Sequence, residues 1–294
     1  MDSRNFLSLS SIPVISATPP TSMVWYIYFQ KKVPDHLLAL HSDGHIHTKY
    51  CHHATGEMEE YVLSGIAAGL DEIVFLEHME AGVHYFESTW LTEDDFDLYF
   101  SEGERLREKF KDRIRVSLGV EVGYSQTHKE ELLERLAKRT WDRIGISYHF
   151  MPVPEEKYHL NLVSRKKSNI LAIEAIGCEK VLNEYFTRLT EAVAVLPGTV
   201  LCHLDAALRF QPDITIDKRH RKQIRKLLEA VKEKEMALEV NTSGFSIRGT
   251  PFPAPFIIQD ALELEIPLLP GSDAHKPEDV GRHFELLKTY LQTA

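Results

Sequence analysis

The chain has 294 residues, enough for one large barrel domain or two small ones. Hydrophobic residues make up 43% of it, and no stretch approaches the roughly 18 apolar residues of a membrane span, which argues against an integral membrane protein. A formal net charge of −10 argues against a duplex nucleic-acid partner, because phosphate backbones are held mainly by Lys and Arg, but leaves room for a small phosphorylated substrate.

Residues 1–39 read as a poorly ordered amino-terminal extension. A Ser/Pro-rich start leads to a short apolar run, Val24 to Phe29, closed by Lys31 and Lys32. The run is too short to cross a bilayer, and the segment before it lacks the basic start, apolar core and cleavage site of a secretory signal; Met23 is an alternative start. From residue 40 onward, short β-branched runs alternate with segments of helical period, the pattern of repeated β/α units around a parallel sheet. Seven strands are predicted, at 40–47, 72–78, 115–122, 143–149, 199–205, 237–242 and 266–275. Helical patterns such as DDFDLYFSEGERLREKF and RHRKQIRKLLEAVKEK lie between them, and residues 40–294 read as one domain.

Histidine occurs fifteen times, and its placement carries the chemistry. The first strand ends in His45 and His47, whose one-residue spacing points both to one face. His52 and His53 follow in the first loop, either within reach of the same mouth. The second strand ends in His78, the third in Glu121, the fourth in His149, the fifth in His203 and the seventh in Asp273 and His275, whereas the sixth ends in Asn241. Barrel active sites are built at the C-terminal ends of the strands, where the loops converge. Imidazole nitrogen and carboxylate oxygen are the donors that hold Zn²⁺, Fe²⁺ or Mn²⁺, so this set implies more than one metal ion.

A single strand-end histidine is ordinarily a hydrogen-bonded core or surface group. Six of seven strands ending in donor side chains, two with HxH or DxH spacing, have no simple packing explanation. His36, His41, His84, His128, His159, His220 and His283 fall in loops, at strand starts or on helices and take the ordinary reading. Cys51, Cys178 and Cys202 include no CxxC pair, which excludes a disulfide framework or a Cys-rich zinc module and fits a reducing cytoplasm. Cys51 reads as packing under the site, and Cys202, one residue before His203, as a core residue on the opposite face.

In this order HSDGHIHTKYCHH, FLEH, GVEVGY, ISYHF, CHLD, EVNTSGF and GSDAH resemble the motifs of the polymerase and histidinol phosphatase (PHP) superfamily, and most closely its histidinol-phosphatase branch. The resemblance runs from residue 40 to about 290. It implies a distorted (β/α)7, TIM-like barrel with a trinuclear centre of divalent ions, Zn, Fe or Mn, that hydrolyses phosphomonoesters. Carried over by motif, His45, His47, Glu121 and Asp273 hold one ion, Glu121 bridges to a second held by His149 and His203, and His53, His78 and His275 hold the third. It selects His53 over His52, and it makes Asp43 and Glu77 groups that orient imidazoles. Cys202 departs from the pattern, which commonly has Gly there, and the extension is foreign to it.

Three ions carry roughly +6 and two carboxylates remove about 2, leaving an excess suited to a phosphate dianion. The expected chemistry is attack by a metal-bridging hydroxide, with Glu121 and Asp273 in the catalytic centre and no side-chain nucleophile. Arg209 and Arg248 are candidates to clamp phosphate, and Asn241 to bond substrate or orient a ligand. An amidohydrolase-type hydrolase also begins with HxH, but usually bridges its metals through a lysine carbamate on the fourth strand, where this chain has His149. Two more readings compete with the phosphomonoesterase: a phosphoesterase of the same superfamily acting on nucleotides or other sugar or alcohol phosphates, and a non-catalytic metal-stabilised interaction module.

Overall fold

A computed structural model describes residues 38–292 other than 155, 208, 212 and 213. The expected extension, with His36, therefore lies outside the described residues except for Leu38 and Ala39. The chain forms β1 (Ser42–Ile46), α1 (Met58–Ala67), β2 (Glu72–Met79), α2 (Glu93–Phe110), β3 (Arg115–Gly123), α3 (Lys129–Leu136) and β4 (Arg143–Ser147). A two-stranded hairpin of β5 (Phe150–Met151) and β6 (Leu160–Asn161) follows, then α4 (Lys167–Ile176), α5 (Cys178–Val195), β7 (Val200–Leu201) and α6 (Lys218–Glu233). The last third contributes β8 (Ala237–Asn241), α7 (Ser243–Arg248), α8 (Pro255–Glu263), β9 (Leu268–Gly271) and α9 (Phe284–Gln292). The hairpin, α4 and α7 are absent from the sequence-based expectation.

Seven strands pair in the order β1-β2-β3-β4-β7-β8-β9, every pair parallel. Parallel bridges Leu38 to Leu268 and Ile46 to Ala274 bring the last strand to the first, so the sheet curls into the expected distorted (β/α)7 barrel. Strand alternation divides the side chains. On β2, Ile73, Phe75 and Met79 join the large core under the helices, whereas Val74 and Leu76 line a small interior core with Val200, Cys202 and Ala237. That interior is narrow: a Cβ at Gly145 would lie 2.6 Å from Cys202 Sγ.

The helices are fixed by ordinary means. Thr92 and Asp95 form a capping box at the start of α2, of the kind worth about 0.5–2 kcal/mol. Phe96, Tyr99, Gly103, Leu106 and Phe110 recur at helical spacing on its buried face. From that face the buried Tyr99 hydroxyl donates to Phe75 O at 3.1 Å, pinning α2 across β2.

Candidate metal centre

The alternation that sends Val74 and Leu76 inward continues to His78. The parallel register sets His78 directly beside Glu121 on β3, and their Nδ1 and Oε2 lie 2.9 Å apart. His45 and His47 leave β1 on one face, with Nε2 atoms 2.9 Å apart. From β9, Asp273 brings Oδ1 to 3.4 Å from His47 Nε2. His203 and His149 approach the other oxygen of Glu121, placing Nε2 at 2.8 and 3.2 Å from Oε1. His53 and His275 meet at 2.8 Å between Nε2 atoms, and the His275 ring lies tilted against that of His47, 4.4 Å between centroids. All nine expected donors thus converge on one mouth, whereas His52 is half-exposed beside Asp95.

These donors fit cations rather than one another. His78 Nδ1 and Glu121 Oε2, 2.9 Å apart and both buried, make no well-formed hydrogen bond, a costly state that a divalent ion between such donors would relieve. His45, His47 and Glu121 form one group of donor atoms within 4.8 Å of each other, and His47, His78 and His275 form another. Two donors sit on left-handed backbone, His203 at φ 22° and Asp273 at φ 53°, a strain typical of functional sites.

The local electrostatics follow from this crowding. Burial alone would raise the Glu121 carboxyl, but His149, His45, His78 and His203 hold it well below the usual carboxylate range. Burial likewise opposes ionisation of Asp273, and His47, His45 and His275 bring it down. Burial and the neighbouring His47 push His78 and His275 well below an ordinary histidine, which favours the neutral, ligating form. Burial also opposes charge on His149, yet Glu121 and Glu80 outweigh it and lift that imidazole to about 10.

The groups behind the donors differ from expectation at Asp43 but not at Glu77. Glu77 lies on the helix side of β2, accepts from Thr48 N at 2.7 Å and reaches 3.8 Å from His47 Nδ1. Asp43 touches no imidazole: it accepts from Ser272 N at 2.9 Å and Gly281 N at 2.8 Å, securing the backbone beside Asp273. Two carboxylates that were not anticipated touch donors instead. Glu80 Oε1 lies 3.0 Å from His149 Nδ1, and Glu239 Oε1 lies 2.8 Å from His45 Nδ1. The sixth barrel strand, β8, therefore does serve the site. Its signal was legible in ALEVNT, where Glu239 stands between the apolar Leu238 and Val240, inside the strand and not at its end.

The substrate-contact candidates separate. Arg209 lines a cavity of about 450 Å³ above the cluster, with Nη1 at 4.0 Å from Asp273 Oδ2. Arg248 points elsewhere, donating to both oxygens of Asp205 at 3.0 and 3.2 Å, and does not line that cavity. Asn241 is fully buried, its Nδ2 donating to Glu239 Oε1 at 3.1 Å and its Oδ1 accepting from Ser243 N at 3.0 Å, and it does not line the cavity. Cys202 is core, but it lies in the barrel interior near His45, because the chain leaves the extended conformation at His203. The hairpin segment, which carried no sequence signal, supplies a wall through Phe150, Asn161, Ser164, Arg165 and Lys166.

Known proteins share this architecture. The PHP domain family model matches residues 43–243. The histidinol-phosphatase of Bacillus subtilis is 24% identical over 260 residues, covering 83% of this chain and 96% of that protein. A Listeria monocytogenes structure solved as a candidate histidinol phosphatase superposes with a TM-score of 0.76 at 22% identity, over 83% of this chain and 99% of that one. Histidinol phosphate phosphatase of Lactococcus lactis, complexed with Zn, L-histidinol and phosphate, gives a TM-score of 0.69 at 22% identity, over 86% of this chain and 93% of that one. With a family model spanning most of its length and a barrel of the same shape as these structures, the chain belongs to the PHP domain family.

Proposed function

We propose that this chain is a metal-dependent phosphomonoesterase, with histidinol phosphate as its substrate and residues 40–294 as its catalytic domain, acting in the cytoplasm. The observation that carries the reading is the convergence of nine imidazole and carboxylate donors beneath a cavity edged by Arg165, Lys166 and Arg209. His45, His47, Glu121 and Asp273 would hold one divalent ion, Glu121 with His149 and His203 a second, and His53, His78 and His275 a third, drawn from Zn, Fe or Mn. When bound, such ions supply Lewis acidity toward phosphoryl oxygens and acidify water near neutral pH.

The chain's own groups do the rest. Arg209 stands where its guanidinium can donate to a phosphate held over Asp273, and Arg165 and Lys166 add charge that draws a dianion into an otherwise acidic protein. Phe150 and Phe210 wall the cavity and limit water around the scissile bond. Glu80 and Glu239 accept from ring nitrogens and aim the opposite nitrogens at the mouth. The named relatives favour histidinol phosphate among phosphomonoesters. The test is phosphate release from a phosphomonoester panel including histidinol phosphate, after the protein is stripped and reloaded with Zn²⁺, Mn²⁺ or Fe²⁺. Turnover of histidinol phosphate is expected; no hydrolysis with any of the three ions would end the proposal.

A further inference from the structure

We propose that Glu239 is a positioning residue that sets two donor groups on opposite sides of Glu121 with a single carboxylate, an inference that rests on the metal-dependent reading above. Glu239 is 3% exposed and stands inside the barrel on β8. Its Oε1 lies 2.8 Å from His45 Nδ1, and its Oε2 accepts from the His203 backbone N at 2.7 Å. Those two histidines approach different oxygens of Glu121: His45 Nε2 is 3.5 Å from Oε2, and His203 Nε2 is 2.8 Å from Oε1. One side chain therefore fixes the ring of one donor and the main chain of another. Glu80, by contrast, reaches a single donor, His149.

Two further features keep this carboxylate in place, and a third bears on its charge. Asn241 Nδ2 donates to Oε1 at 3.1 Å. Gly271 leaves the space it needs, since a Cβ there would lie 2.3 Å from Oε1 and 2.7 Å from His45 Cβ. No Lys or Arg among the described residues pairs with it; its ion-pair partner is His45 alone. A carboxylate that accepts from Nδ1–H fixes the tautomer with Nε2 free, and that nitrogen is the one facing His47, Glu121 and Asp273. The second bond holds His203 at its left-handed backbone, φ 22°, which an L-residue rarely adopts unaided.

This geometry makes glutamine a poor replacement. Glu239 accepts at both oxygens, whereas an amide has one acceptor oxygen and one NH₂. Turned one way, the NH₂ of Glu239→Gln faces the His203 N–H, donor against donor. Turned the other way, it donates to His45 Nδ1 and forces the ring proton onto Nε2, where ligation is lost. Glu80→Gln meets no such conflict, because its amide oxygen still accepts from His149.

The experiment compares wild-type chain, Glu239→Gln, Glu239→Ala and Glu80→Gln, each stripped, dialysed against Zn²⁺ and measured for zinc per chain by mass spectrometry of the metal. Glu239→Gln is expected to be as depleted as Glu239→Ala, losing at least one ion per chain, and to lose more zinc than Glu80→Gln, which keeps an acceptor oxygen for its single donor. Wild-type zinc content in Glu239→Gln, or equal losses in Glu239→Gln and Glu80→Gln, overturns the positioning role. Should the Glu239 variants fail to fold, ¹⁵N spectra of the zinc-loaded wild type decide: a proton on His45 Nδ1 supports the role, and a bare Nδ1 sinks it. A wild-type chain that takes up no zinc and hydrolyses no phosphomonoester overturns the metal-dependent reading itself, a result distinct from any failure confined to the Glu239 variants.

Discussion

Glu121 is the residue on which the centre turns, because four imidazoles compensate one fully buried carboxylate. Glu121→Ala removes that charge and leaves His78, His149 and His203 without their common partner. It is expected to lose metal and to cut turnover by more than the about 100-fold typical of a missing outer partner, measured as metal content and phosphate release. Retention of both would contradict a bridging role. His149, held to about 10 by Glu121 and Glu80 against the opposing effect of burial, carries a proton at neutral pH when no cation is present. Ligation must displace it, so Zn²⁺ uptake at pH 7 is expected to release protons and affinity to weaken as pH falls. Calorimetry in buffers of different ionisation heat tests this; a binding heat independent of buffer would refute it.

Among the elements, α2 and α3 are joined by Glu93, which bonds Arg135 at 2.7 Å and Arg139 at 2.6 Å. Burial would raise this carboxyl, but the two arginines outweigh it and lower it to about 2. A carboxyl depressed on folding stabilises the protein above its unfolded value near 4.5 and loses that contribution as pH falls toward 2. Glu93→Gln should therefore lower the midpoint of thermal unfolding at pH 7 and narrow the gap to wild type near pH 2, read by circular dichroism at both pH values. The same helix meets β3 through Gly103, where an added Cβ would lie 2.3 Å from Leu118 Cδ2. Gly103→Ala is predicted to overpack that contact and cost about 1–3 kcal/mol, measured by urea denaturation. Element type was readable from periodicity, as α2 and β2 show, because apolar spacing reflects which face is buried. The hairpin of β5 and β6 was not, since two-residue strands are too short to carry a period and exist only through their pairing.

Across the whole molecule, the donors come from strands spread between His45 and His275, so cation binding clips together distant parts of one barrel. Divalent ions held by these donors would bind the folded chain and not the dispersed donors of the unfolded one. At an ion concentration about 100 times Kd this adds about 2.7 kcal/mol for one site. For a domain of this size that should raise the unfolding midpoint by about 5–10 °C, and chelation should reverse the rise. A scanning measurement that shows no shift on adding and removing Zn²⁺ would speak against a structural contribution of the ions.

The barrel and eight of the nine donor positions were legible in the residues themselves, because strand alternation and the rule that barrel sites lie at strand C-termini are local consequences of backbone geometry; the choice of His53 over His52 came from the family resemblance. Arg209 was legible as a cavity residue too, from its place just after HLD. What stands behind the donors was settled only by the fold. Asp43 and Glu77 neighbour ligands in the chain, yet Asp43 bonds backbone amides, while Glu80 and Glu239 reach rings on other strands. Arg248, close in sequence to the mouth, is drawn to Asp205 across 43 residues, and no spacing rule anticipates such a pairing. The difference has one physical cause: a side chain's face is set by its own strand, whereas its partner is set by the register and curvature of strands far away in sequence.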